Sequence, residues 1–260
     1  MSSLLSATDT RAGLSDRVRH HFGRQAAGYE TQALLQRAVA CRLGRLCRTL
    51  PLPAGPRADL GAGSGLLSRA LPAHGLLQLD LCSELLRCNP QQPQLVWDLN
   101  DGLPSALQGA ALLASNFALQ WLDDPAGQLG DWCRALAPGG WLVLAVPTAG
   151  SFPQWHRAAA AAGVPCTALE LPTADGLLRA ATAAGLRPRH SRLLRFSRPR
   201  QGGLAALRHL KHLGADANRR PPLAAGDLRR LLAHWPQQTP LTWEVLLLIG
   251  HRTHPDVPAP

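Results

Sequence analysis

The stretch Ala58-Asp59-Leu60-Gly61-Ala62-Gly63-Ser64-Gly65-Leu66-Leu67 limits the possible folds of this chain more than any other. It reads as the end of a strand, a glycine turn and the start of a helix. Three glycines at alternate positions let the backbone bend sharply and let a ligand rest on bare main chain, because no Cβ stands in the way. A helix over 64–71 would add free N–H groups and a positive dipole end. Leu76-Leu77-Gln78-Leu79-Asp80 then reads as a short apolar strand that ends in an acid.

A dinucleotide-binding turn would read G-x-G-x-x-G. Here the order is D-x-G-x-G-x-G, which resembles the first motif of class I S-adenosylmethionine-dependent methyltransferases. That ligand has no pyrophosphate but carries an α-amino group, which a carboxylate such as Asp59 can help hold. An ordinary glycine-rich loop is the plain alternative. The acid at position 80 argues against it, since a Rossmann-like unit places its ribose-binding carboxylate at about that distance, roughly 20 residues on.

The chain has 260 residues, 46% of them apolar, enough for one large domain or a domain with a lid. No run approaches 18 uninterrupted apolar residues, so no membrane-spanning helix is expected. Residues 1–10 lack the basic start and apolar centre of a secretory signal. Six cysteines (41, 47, 82, 88, 133 and 166) form no C-x-x-C pair and no zinc spacing. They read as reduced, mostly buried thiols of a cytoplasmic protein, with no metal site. The net charge is +10, and Lys211 is the only lysine. Such a balance suits an acidic partner, although an arginine-rich surface can equally reflect genome composition.

Residues 1–15 are expected to be disordered. Helices are expected over 16–24 and 32–50, the second ended by Pro51, Pro53 and Pro56. The α/β core runs over 57–147, with further strands at 94–99, 110–115 and 141–146. Asp123-Asp124-Pro125 opens a helix reaching Leu136. Alternating strands and helices imply a parallel sheet covered on both faces. Helices over 151–163, 173–185, 203–213 and 224–234 and strands over 189–196 and 241–250 follow, and 253–260 is a loose, proline-rich tail. Between Gly176 and Arg230 lie 13 basic side chains against Asp216 and Asp227. This is either a solvated arginine-rich face or a surface that docks an anion.

Four segments together resemble one family. They are Phe22-Gly23-Arg24-Gln25-Ala26-Ala27-Gly28-Tyr29-Glu30, Asn116-Phe117-Ala118-Leu119-Gln120-Trp121, Leu210-Lys211-His212-Leu213-Gly214-Ala215, and Trp235-Pro236-Gln237-Gln238 with Pro240-Leu241-Thr242. They are similar to segments of the malonyl-acyl-carrier protein O-methyltransferases of biotin synthesis. Trp243 stands where that family has a tyrosine, and Ala62 where a cysteine is common. The resemblance implies a Rossmann-like class I methyltransferase fold: a mostly parallel seven-stranded sheet with helices on both faces and a helical lid. A single domain over 16–252 would have its lid in 16–50, 151–185 and 200–238.

The reaction so implied moves a methyl group from S-adenosylmethionine to the free carboxylate of a malonyl thioester. That carboxylate is already ionised, so alignment and exclusion of water are what the site must supply, and no general base is nominated. By the same resemblance, Asp59, Gly61, Gly63 and Gly65 hold the methionine half of the cofactor. Asp80 takes the ribose, and Asp98 and Leu99 the adenine edge, with Leu81 also among the cofactor-binding residues. Asn116 and Tyr29 position the reacting groups. Arg24, His156, Arg208 or Lys211 contacts the malonyl carboxylate. The expected partner is an acidic acyl-carrier protein rather than a nucleic acid or a membrane, and the expected state is a monomer. A methyltransferase with another small-molecule or RNA acceptor, or a cofactor-binding assembly factor acting on a protein, remains the competing reading.

Overall fold

The computed structural model describes residues 3–198, 202–236 and 239–253. Its centre is a seven-stranded sheet in the order β3-β2-β1-β4-β5-β7-β6. The strands are β1 Arg57–Leu60, β2 Leu77–Asp80, β3 Gln94–Val96, β4 Ala110–Asn116, β5 Leu136–Pro147, β6 Leu186–Arg198 and β7 Leu241–Arg252. The first five run parallel, and β7 runs antiparallel between β5 and β6. This is the Rossmann-like class I methyltransferase arrangement.

Strand alternation divides the core. Leu112 and Ala114 of β4 face one side with Val143, Ala145, Leu247 and Ile249. Leu113 faces the other with Leu142, Leu144, Leu246 and Leu248. The first side is covered by α3 (Leu34–Leu46) and α6 (Pro153–Ala162), the second by α5 (Pro125–Ala135) and α7 (Ala174–Ala183). A parallel strand with helices on both faces buries every side chain, which is why β4 and the second half of β5 read as unbroken apolar runs. The prolines before β1 cost it no pairing. Pro56 supplies only its carbonyl, which accepts from the Ala111 and Leu112 N–H groups at 2.8 and 3.4 Å.

Four expectations need correction. Residues 3–15 are not a disordered leader but belong to helix α1, Ser3–Gln25. Leu14 is 1% exposed, packed with Val18 against Ala217, a contact no local pattern encodes. The helix expected over 64–71 is instead a run of turns. Its bonds mix i+3 and i+4 spacings, as in Gly65 N–H to Ala62 and Arg69 N–H to Gly65. Of the cysteines, only Cys47, Cys82 and Cys133 are buried, whereas Cys41 and Cys88 are exposed and Cys166 is half-buried. The third strand also stops early, because Asp98 accepts the Asn100 N–H and caps a 3-10 turn. The tail expected to be loose lies outside the described residues from position 254, as do Gln237 and Gln238. Among the described residues no helix is long and apolar enough to cross a membrane.

Helix α8, Gly202–His212, is followed by a strap over 213–224 and then α9, Ala225–Ala233. The strap lies on α1. His21 Nδ1 is 2.6 Å from Asp216 Oδ1. Arg219 reaches Asp123 Oδ1 at 2.5 Å and the Leu122 carbonyl at 3.0 Å. Gly214 makes the approach possible: at φ +75°, a Cβ there would come within 2.9 Å of Phe22 Cα and 3.1 Å of the His21 carbonyl oxygen. Gly214→Ala should therefore prise the strap from α1 and cost about 1–3 kcal/mol. Thermal melts and amide exchange over residues 14–22 would read it, and unchanged exchange there would show that the contact does not hold α1.

Candidate active site

The strap and α1 roof a cavity of about 680 Å³ over the carboxyl ends of β1, β2 and β4. In an open α/β sheet this is where the topology leaves a crevice for a ligand. The glycine turn forms part of the floor, and each of its glycines answers a different demand. A Cβ on Gly61 (φ +72°) would overlap Ala118, and one on Gly65 (φ +82°) the Asn89 carboxamide. A Cβ on Gly63 (φ +52°) would fit at the cavity wall, touching Leu85 at 3.9 Å and Asp80 at 4.0 Å without overlap.

Asp80 ties this turn to β2. Its two oxygens accept the Gly63 N–H and the Cys82 N–H, both at 2.8 Å. Burial pushes its carboxyl up to about 6, against the pull of those two N–H groups. Asp59 sits behind the turn at 1% exposure, where Oδ2 accepts the Ser68 N–H at 3.0 Å. Its Oδ1 is buried without a partner among the described residues. Burial first, with Asp80 adding to it, pushes Asp59 up to about 7, although the Ser68 hydrogen bonds oppose the shift. A buried carboxyl and a half-buried one beneath one cavity make a floor that favours a cation.

Asn116 ends β4. Its Nδ2 donates to the Gln36 carbonyl at 3.1 Å, and its Oδ1 is buried without a partner among the described residues. Phe117 follows at φ +59°, and Phe152, just after β5, has φ +57°. A left-handed residue bearing a Cβ costs about 1–2 kcal/mol, and both rings line the cavity. Tyr29, in the short helix α2 (Tyr29–Gln32), lines it too. Burial, then Asp80 and Glu30, raises its hydroxyl above the ordinary range, so it stays protonated. Its ring packs edge-on against Phe22 at 6.0 Å, and Phe22 against Trp121 at 5.6 Å.

Of the residues singled out from the sequence, Tyr29, Gly61, Gly63, Asp80, Leu81, Asp98, Leu99, Asn116, Arg208 and Lys211 line the cavity. Asp59 and Gly65 lie behind it. Arg24 points to solvent at the end of α1, outside the lining. His156 is also exposed, with Nδ1 3.4 Å from Cys166 Sγ. On α6 the cavity-facing neighbour is Trp155. The sequence reading gave no role to Gln36, Gln120, Phe152, Trp155 or Trp243, all of which line the cavity. For Gln120 and Trp243 the signal was present, since Gln120 stands in a quoted motif and Trp243 directly follows one. Gln36 and Phe152 carry no local mark. Trp243 packs edge-on against Phe152 at 5.4 Å.

The site fits a cationic sulfonium nucleoside. The buried acceptors Asn116 Oδ1 and Asp59 Oδ1 have no protein donor among the described residues, and the Gly63 cradle is one that a side chain would fill. A carboxyl whose folded pKa exceeds its unfolded value favours folding while protonated. The Asp59 contribution is thus complete below its ordinary value and is lost as pH rises through about 7, at up to about 1.4 kcal/mol per unit. Asp59→Asn should remove this dependence. Melting temperatures of the variant and the unaltered chain should diverge between about pH 5 and about pH 8, the variant gaining with rising pH. Parallel curves would show that Asp59 ionises without penalty.

The family model described as a methyltransferase domain matches residues 35–191, more than half of the chain. The chain is 34% identical over 238 residues to the biotin biosynthesis bifunctional protein BioCD of Bordetella avium, covering 86% of this chain and 50% of that protein. It is 38% identical over 158 residues to the malonyl-acyl-carrier protein O-methyltransferase of Alcanivorax borkumensis, covering 52% of it. The chain thus spans about half the length of these two relatives. With the enzyme of that name from Pseudescherichia vulneris the identity is 32% over 84% of this chain and 88% of the relative. Among solved structures, the YcgJ protein of Bacillus subtilis superposes with a TM-score of 0.54 at 15% identity, over 82% of this chain and 98% of that one. This supports the fold alone. Together with the geometry of the turn and the cavity, these likenesses show that the chain belongs to the malonyl-acyl-carrier protein O-methyltransferase family of class I S-adenosylmethionine-dependent methyltransferases.

Proposed function

We propose that this chain methylates the free carboxylate of a malonyl group carried as a thioester on acyl-carrier protein, the product being the methyl ester that primes pimeloyl synthesis for biotin. The observation that carries this reading is convergence. Three motifs far apart in sequence contribute to one cavity, through Phe22 and Tyr29, Asn116 and Trp121, and Lys211 and Ala215, and they are joined by Trp243, which directly follows the fourth. The single domain and its roof, formed by α1, α8 and the strap, are part of the same proposal.

S-adenosylmethionine supplies an electrophilic methyl group on a sulfonium. The work of the protein is then binding, alignment and dehydration. Gly61 and Gly63 leave main chain bare beneath the methionine half, and Asp59 adds negative charge behind them. Asp80 keeps unshared lone pairs for ribose hydroxyls although each oxygen already holds one N–H. Asp98 and Leu99 lie where the adenine edge is expected. Asn116 directs an uncharged acceptor toward the positive centre. No residue needs to remove a proton, since the acceptor carboxylate is ionised at neutral pH. Tyr29, held protonated, closes the wall without acting as a base. The roof excludes water, which would otherwise solvate and dull the nucleophile.

Arg208 and Lys211 are exposed side chains at the cavity wall on α8. An exposed cation steers an acidic carrier and its carboxylate without gripping the reacting oxygen tightly enough to suppress attack. Arg208→Ala and Lys211→Ala should each raise KM for malonyl-carrier protein by about two- to fivefold, with KM for S-adenosylmethionine unchanged. Activity should also fall as ionic strength rises. Initial rates with malonyl-carrier protein, malonyl-coenzyme A and RNA side by side test the assignment, as does growth rescue of a strain lacking this step. Methylation of RNA alone, or of neither thioester, would refute it.

A further inference from the structure

The segment after β4 does more than present Asn116. Four of its residues each lean on a different part of the cavity. Ala118 occupies the space left by the missing Cβ of Gly61. Phe117 N–H donates to the Ala145 carbonyl of β5 at 2.9 Å. Trp121 stacks edge-on with Phe22 of α1. Gln120, 5% exposed, donates from Nε2 to the Phe117 carbonyl at 2.7 Å. Its Oε1 is buried without a partner among the described residues, although the residue lines the cavity.

We propose that Gln120 is the positioning residue of this site: its carboxamide locks Phe117 in the left-handed conformation and thereby fixes the Asn116 carboxamide against the cofactor turn. The inference rests on the methyl-transfer reading above, which assigns no role to Gln120.

The physical case has three parts. First, Phe117 is one of only two described non-glycine residues with positive φ, and such a conformation persists only when its surroundings over-determine it. Its N–H is held by β5 and its carbonyl by Gln120, so both ends of the residue are fixed. Second, the bond is part-buried, with Gln120 itself 5% exposed, and a carbonyl shielded from water that loses its donor costs free energy. Third, once one Nε2 N–H is given to Phe117, the orientation of the amide is set, and Oε1 is left without a protein donor among the described residues. That leaves two uncharged acceptors, Asn116 Oδ1 and Gln120 Oε1, on one short segment. Uncharged acceptors suit a site that must hold a cation without competing with the carboxylate it is to meet. A leucine or methionine would fill the same volume but would free the Phe117 carbonyl.

The test uses the full chain and two variants. Gln120→Met keeps volume and removes both polar atoms. Gln120→Glu keeps shape but, when ionised, cannot donate to Phe117. Calorimetric titration with S-adenosylmethionine should show affinity weaker by about tenfold or more for Gln120→Met. Amide exchange at Phe117 should quicken in the same variant. For Gln120→Glu the affinity ratio to the unaltered chain should recover as pH is lowered, because a protonated carboxyl can donate to Phe117. The ionisable groups around the cavity, among them Asp80, Tyr29, His21 and Asp216, are the same in both chains, so the ratio isolates position 120. Affinity within about twofold of the unaltered chain in Gln120→Met, with Phe117 exchange unchanged, overturns the proposal. If Gln120→Met fails to fold, a pH-independent ratio in Gln120→Glu overturns it instead. Both readouts are of donor binding and backbone exchange, so they stand even if the acceptor proves to be something other than a malonyl thioester.

Discussion

The Asp80 carboxylate is the fastening on which the site depends. A glycine turn of this kind has little of its own to keep it in place, because its flexibility is what makes it useful. Two charge-assisted N–H bonds, from Gly63 on one side and Cys82 on the other, clamp the turn to the end of β2. The Gly61 and Ala62 N–H groups add two further bonds to the Leu79 carbonyl, each at 2.8 Å. The turn is therefore built into the sheet before any ligand arrives. The carboxyl that performs this task is raised by burial to about 6, so the clamp is strongest where that group is ionised.

Around this fastening, the parts that give the family its character are elements of closure. The sheet and its two apolar layers would serve any methyltransferase of the class. What distinguishes this chain is the way α1, the segment after β4 and the strap meet over the cavity. Phe22 touches Tyr29, Trp121 and, through its backbone, the position of Gly214. One aromatic ring thus joins three motifs that are distant in sequence. The small residues of those motifs, Ala118 and Gly214, permit approach, and the large ones, Phe22 and Trp121, fill the gap.

The sheet was legible because its signals are local. The unbroken apolar run of β5 and the acids after β2 and β3 mark strands and their ends wherever they occur. The glycine turn was legible because its spacing is rare. Other features were set by contacts far apart in sequence. Leu14 is ordered by Ala217 across about the whole chain, so composition suggested disorder where there is a helix. The turns over 64–71 look helical by pattern, but Gly65, held against Asn89 at positive φ, disrupts the first turn. His156 and Trp155 are neighbours on α6, and the choice between them depended on how that helix rotates against β7. A lone histidine draws the eye as a ligand, yet the indole faces the cavity. Gln120 was written in a motif but had no visible task until Phe117 was seen in its left-handed conformation.

The composition of the chain gives one of these features an unforeseen use. Positive charge here is carried almost entirely by arginine, and the sequence contains a single lysine, Lys211, an exposed residue that lines the cavity. Apart from the amino terminus, a reagent selective for primary amines has one address on this protein. A fluorophore or cross-linker attached there would report from the cavity wall itself, so the coming and going of a ligand could be followed without engineering a new attachment point.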